Sequence, residues 1–157
     1  MNNSENFKPT ALEDEEKPTK WVSPDNAKVI DEEMVFKVAM TRDFKSLTEL
    51  SLIAEKVNFL NFGNSVLTKT NYLVKLDLSY NQIDRIQHLD YLKILQELNL
   101  SGNPIRQIED LNLPQLRVLN LDGCRIKVIE NLKSCKKLEQ ISMNGNLITN
   151  LSIQGGA

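Results

Sequence analysis

From Leu47 onward, aliphatic residues return in one order: L-x-x-L-x-L, two further residues and Asn, then aliphatics at about every third position. Aligned on the first leucine, the units start at Leu47, Leu73, Leu95, Leu116 and Leu138, with separations of 26, 22, 21 and 22 residues. The second unit carries Leu73, Leu76, Leu78, Asn81, Ile83, Ile86, Leu89 and Leu92, and the third repeats it with Leu95, Leu98, Leu100, Asn103, Ile105, Ile108 and Leu111. The fourth has Leu116, Leu119, Leu121, Cys124, Ile126, Ile129 and Leu132; the fifth has Leu138, Ile141, Met143, Asn146, Ile148 and Leu151. The first is degenerate: Leu47, Leu50, Leu52, Val57 and Leu60 fit, but Glu55 stands in the Asn column. A fixed period of this length signals a solenoid. The alternation of Leu76 and Leu78 predicts a short strand with one buried face, so successive units stack their strands into a parallel sheet. An Asn where the chain leaves each strand can satisfy backbone groups of adjacent turns. The three-residue spacing of Ile83, Ile86, Leu89 and Leu92 predicts a 3₁₀ or short helical return, with Pro114 arguing against a full helix in the third unit.

Ahead of the repeats, Ser23-Pro24-Asp25 reads as a turn and helix-start signal. Met34, Val35, Val38 and Ala39 recur at helical spacing, and Asp31, Glu32 and Glu33 suit a helix N-terminus. Residues 21–46 are therefore expected to form a helical cap, with Trp21 in its packing, covering the apolar side that a first repeat would otherwise expose. Residues 1–20, with the acidic run Glu13 to Glu16, are too polar to offset their ordering entropy and are expected to be a disordered tail. The repeats occupy 47–153, and 154–157 form a tail.

The pattern L-x-x-L-x-L-x-x-N-x-I-x-x-I over these units resembles the leucine-rich-repeat superfamily. Its period, with Ile after Asn and a following L-x-x-L, resembles the SDS22-like class. The resemblance implies an α/β leucine-rich-repeat solenoid, with a curved parallel sheet on the concave face and 3₁₀ or short helical returns on the convex face. It also implies that Cys124 is tolerated in the Asn column. Members of the family close with a C-terminal cap. None is visible here, and the expectation is a fragment, an isoform, a shortened gene model or an end covered by a partner.

Alternation turns Glu49, Ser51 and Ile53 outward, then Lys75, Asp77 and Ser79, Glu97, Asn99 and Ser101, Val118, Asn120 and Asp122, and Gln140, Ser142 and Asn144. Tyr80, Gly102, Gly123 and Gly145 flank them. The candidate partner-binding residues are Glu49, Lys75, Asp77, Ser79, Tyr80, Glu97, Asn99, Ser101, Asn120, Asp122, Gln140 and Asn144. Tyr80 is the expected anchor, because aromatic groups dominate interface energetics. A curved, polar, slightly acidic sheet suits a partner's helix or a flat polar patch.

Nineteen basic against twenty-one acidic residues leave a formal charge of −2, which offers no direct nucleic-acid or anionic membrane surface. No apolar run approaches the roughly 18 residues of a spanning helix, and the polar N-terminus is not a secretory signal. With only two cysteines, Cys124 and Cys135, the expected setting is reduced, intracellular and cytoplasmic, the nucleus not being set aside. Catalytic motifs are missing, no metal or cofactor is expected, and His88 reads as a lone surface residue on the convex return. Lys56-Val57-Asn58-Phe59 matches a phosphatase-1 docking pattern, but Val57 falls in a buried column. The Asn99 and Asn150 sequons are coincidental without secretion. The expected function is therefore a protein-interaction scaffold or regulatory adaptor, with ciliary, centrosomal or other cytoskeletal complexes suggested by fold analogy. The alternatives are a phosphatase-1-regulator-like or U2-small-nuclear-ribonucleoprotein-like binding module, and last a cysteine-dependent enzyme.

Overall fold

The computed structural model describes residues 26–60, 66–109 and 111–149. The readings for the tail 1–20, Trp21, the Ser23–Asp25 turn, Leu151 and 153–157 fall outside them. Helix α1 (Glu32–Ala39) begins at Asp31, whose carboxylate accepts the Met34 N–H at 2.8 Å and so satisfies one of the unpaired donors of the first turn. Residues 27–30, which follow the expected start signal, are not helical. The helix ends at Met40, left-handed at φ 55°, whose N–H donates to the Phe36 carbonyl at 2.8 Å. Met34 and Val35 are buried. The expected apolar face is only partly covered, because Val38 is 36% exposed and lies over the open side of the sheet.

After a 3₁₀ turn at Phe44–Ser46, strands β1 (Glu49–Ser51), β2 (Lys75–Asp77), β3 (Glu97–Asn99), β4 (Val118–Asn120) and β5 (Gln140–Ser142) form one parallel sheet in chain order. Their register aligns Leu50, Leu76, Leu98, Leu119 and Ile141 in one inward column. The first four are buried, with Leu98 at 1% exposure. Ile141 is 40% exposed, since among the described residues no further turn stacks on β5.

Below the strands runs the Asn ladder. Asn81 donates to the Leu52 and Leu78 carbonyls and accepts the Val57 N–H at 3.0 Å. Asn103 repeats this with Leu78, Leu100 and Ile83, and Asn146 with Leu121, Met143 and Ile126. Each Asn thus pairs carbonyls and an amide that folding would otherwise orphan. At Cys124 the rung is weak, a thiol 3.5 Å from the Leu100 carbonyl. Glu55 takes no part, because among the described residues no strand precedes β1. Cys124→Asn is expected to raise stability by about 1 kcal/mol, one net hydrogen bond, seen as a higher Tm.

The returns hold one short helix and otherwise isolated 3₁₀-type turns. Only the first contains a helix, α2 (Val66–Lys69), among the described residues. The others hold isolated i−3 bonds, such as Leu92 N–H to Leu89 C=O at 3.0 Å and Cys135 N–H to Leu132 C=O at 3.0 Å. A side chain drawn inward every third residue permits single 3₁₀-type turns, but no consecutive series builds a helix.

Candidate partner-binding face

Because strand side chains alternate, the residues flanking the buried leucines share the open side of the sheet. There a groove of about 570 Å³ runs from Val38 and Ala39 of α1 across β1 to β4, ending at Val118 and Asn120. Strand register sets two rows across it: Glu49, Lys75, Glu97 and Val118, then Ser51, Asp77, Asn99 and Asn120. In the first row the Lys75 ammonium lies 3.3 Å from Glu97 and 3.9 Å from Glu49. All three are substantially exposed, so the pairs add little stability. In the second row Asp77, Asn99 and Asn120 each accept the N–H two residues onward, at 2.9, 3.1 and 2.9 Å. Asn99 also donates to Asp77 across the strands at 3.0 Å. These bonds hold the polar row in fixed rotamers, so little side-chain entropy remains to be lost on binding.

Glu49, Lys75, Asp77, Glu97, Asn99 and Asn120 of the expected set therefore line one groove. Tyr80, Ser101, Asp122, Gln140 and Asn144 lie beyond it, toward the strand ends or β5. Ser79 is a correction: it is 3% exposed and not on the open surface, because β2 ends at Asp77 and alternation ceases where the chain turns. Asp122 accepts the Ser142 hydroxyl at 2.7 Å and the Asn144 N–H at 2.6 Å. The Ser142 bond holds its carboxyl below the usual range against the opposing effect of desolvation, with Asn144 assisting. Sequence reasoning missed Val38 and Ala39 as groove residues, since helical periodicity assigned both to the buried face.

Tyr80 is exposed, with a left-handed backbone at φ 57°. It shares its column with Gly102, Gly123 and Gly145, all at positive φ, so the glycines were the signal that this position is left-handed. A Cβ on Gly102 would stand 2.8 Å from the Tyr80 ring, so that glycine also gives the ring its seat. Tyr80→Gly is expected to leave stability unchanged or raise it by about 1 kcal/mol, from relief of the left-handed backbone. A denaturation midpoint measures it.

The other candidates are structural. Cys124 and Cys135 are buried and unpaired, and burial pushes both thiols above their usual range, away from the reactive thiolate. His88 is half-buried rather than a surface residue, with φ 56° and a buried Nε2 that has no hydrogen-bond partner. Val57 is fully buried, so the Lys56–Phe59 motif is not displayed. Among the described residues no group of three or more His, Cys, Asp or Glu could hold a metal, and no helix is long and apolar enough to cross a membrane.

With this geometry established, likeness to known proteins follows the repeats. A family model described as leucine-rich repeats in two copies matches residues 114–155, and a single leucine-rich-repeat model matches residues 95–114. The chain is 31% identical over 93 residues, 58% of its length, to a homologue of the protein phosphatase 1 regulatory inhibitor subunit from Arabidopsis thaliana. It is 31% identical over 110 residues, 66% of its length, to a probable U2 small nuclear ribonucleoprotein A′ from Caenorhabditis elegans. It spans 27% and 42% of those relatives' own lengths. The crystal structure of the Drosophila melanogaster SNF/U2A′ complex aligns with a TM-score of 0.62 at 21% identity, covering 78% of this chain and 72% of that one, a likeness of fold. Repeat columns, parallel sheet and matched models agree: the chain carries leucine-rich repeats, stacked as a leucine-rich-repeat solenoid.

Proposed function

We propose that this chain is a protein-binding adaptor that seats a partner segment, such as a helix, in its concave groove. The observation that carries the reading is the row Asp77, Asn99 and Asn120, held rigid by hydrogen bonds and open to solvent between apolar ends at Val38 and Val118. Glu49, Asp77 and Glu97 outweigh Lys75 there, so the complementary segment is basic, with apolar residues toward its ends. Tyr80 adds an aromatic anchor at the strand ends. The reading involves no catalysis, cofactor or direct nucleic-acid contact. It places the chain inside the cell, in the cytoplasm or nucleus, which the two unpaired buried thiols support.

The relatives supply a second, narrower reading: a regulator acting on a phosphatase, or a ribonucleoprotein component gripping a protein partner. Neither relative is named for a cilium or the cytoskeleton, so the setting expected by analogy forms no part of the proposal.

Affinity purification with wild type and with Asp77→Arg plus Glu97→Arg tests the groove. Its partners are expected to fall at least tenfold for the double variant. Identical partner lists would exclude the groove as the binding surface.

A further inference from the structure

A second surface lies on the flank where each return climbs back into its strand. The residues immediately before Leu73, Leu95, Leu116 and Leu138 are Tyr72, Ile94, Gln115 and Lys137. Main-chain bonds fix these turns side by side: Gln96 N–H to Val74 C=O at 2.8 Å, Arg117 N–H to Gln96 C=O at 2.8 Å, and Glu139 N–H to Arg117 C=O at 2.9 Å. Lys137 Nζ donates to Gln115 Oε1 at 2.6 Å across two of them. Tyr72 is 52% exposed, Ile94 41%, and Tyr91, three residues before Ile94, 58%. Three large apolar side chains thus lie open on neighbouring turns, whereas the leucines that follow them are buried.

The cations beside this patch, Lys93, Lys136 and Lys137, are exposed and have no carboxylate partner among the described residues. An apolar centre with a charged edge is the anatomy of a protein interface, and here the edge has the sign opposite to the groove. Four strands at about 4.8 Å spacing put Tyr72 roughly 15 Å from Lys137, the reach of a short peptide segment.

We infer that this flank is a second protein-docking surface, for an acidic segment carrying one or two aliphatic or aromatic residues. Its apolar side chains rest on Tyr72, Tyr91 and Ile94, and its carboxylates face Lys93, Lys136 and Lys137. A nucleic acid fits less well. Ile94 gives no stacking plane at the centre.

The test is fluorescence anisotropy of the whole chain with two labelled probes: a 12-residue peptide of alternating Glu and Leu with one Phe, and a 12-nucleotide oligouridine. The peptide is expected to bind with an affinity that falls as salt rises. Binding should weaken at least tenfold with Lys136→Glu plus Lys137→Glu, and again with Ile94→Ser. The groove variant Asp77→Asn plus Glu97→Gln should bind as wild type, which separates this surface from the concave one. Circular dichroism of each variant guards against misfolding, which exposed positions make small. No peptide binding, peptide binding indifferent to all three flank substitutions, or tighter binding of the RNA would each overturn the inference.

Discussion

Leu98→Ala is expected to lower the unfolding free energy by about 3–5 kcal/mol, in the upper part of the range for truncating a buried leucine. Leu98 is 1% exposed, at the middle of the sheet. Its register partners are Leu76 on one side and Leu119 on the other, both buried. Parallel-ladder bonds hold both flanking strands, so the walls cannot collapse into the space the side chain leaves, and most of the cavity cost persists. Ile141→Ala, in the same column, should cost only about 1 kcal/mol, because Ile141 is 40% exposed and already loses much of its burial. Guanidinium denaturation followed by circular dichroism compares the two. Equal costs would show that the column is not a continuous core. In a repeat architecture the denaturant slope carries information as well, since a weakened middle turn lets the ends unfold separately and lowers it.

Asn103→Leu is expected to cost about 3 kcal/mol or more, although leucine is larger, more apolar and close in shape. The substitution removes donors to the Leu78 and Leu100 carbonyls, both at 2.9 Å, and the acceptor of the Ile83 N–H at 3.0 Å. Asn103 is 1% exposed, so water does not replace these partners. The Ile83 N–H is orphaned and the Leu100 carbonyl keeps only the weak Cys124 thiol, while Asn81 still serves Leu78. Each such buried group costs about 1–3 kcal/mol. The effect should be local as well as global. Amide hydrogen exchange at Ile83 should accelerate far more than at Leu76, whose environment is unchanged. Equal exchange at the two sites would mean that the rung does not hold the Ile83 amide. Cys124 sets a lower bound on what the ladder tolerates, as one turn stands with only weak thiol contacts to the Leu100 and Asp122 carbonyls, at 3.5 and 3.9 Å.

The buried columns were legible because each leucine is constrained by the same geometry in every turn, and repetition removes the ambiguity of one short apolar run. The Asn column was legible for the same reason, down to the exclusion of Glu55. What the sequence did not reveal depends on local termination. Asp25 and Asp31 are both good helix starters, and only the packing of residues 26–30 against the first return, for instance Lys28 N–H to Asn58 Oδ1 at 2.7 Å, shows that the helix waits for Asp31. Three-residue spacing allowed 3₁₀ or short helical returns, and it did not tell which return would hold a helix and which only isolated 3₁₀-type turns. Alternation put Ser79 outside, yet a three-residue strand ends before alternation reaches it. Half of the candidate site lines the groove as a consequence of register, whereas Val38 and Ala39 enter it through the placement of α1 over the sheet, which no periodicity encodes.

The central claim is that the aliphatic columns stack as parallel, in-register turns whose inward leucines leave the polar rows open. Solution NMR of labelled protein reads this directly through interstrand proton contacts. The account predicts contacts linking Lys75 with Glu97, Glu97 with Val118, and Val118 with Gln140, together with slow exchange of amides along β2 to β4. Antiparallel contacts, a shift of one residue in that register, or a spectrum dominated by helix would contradict it.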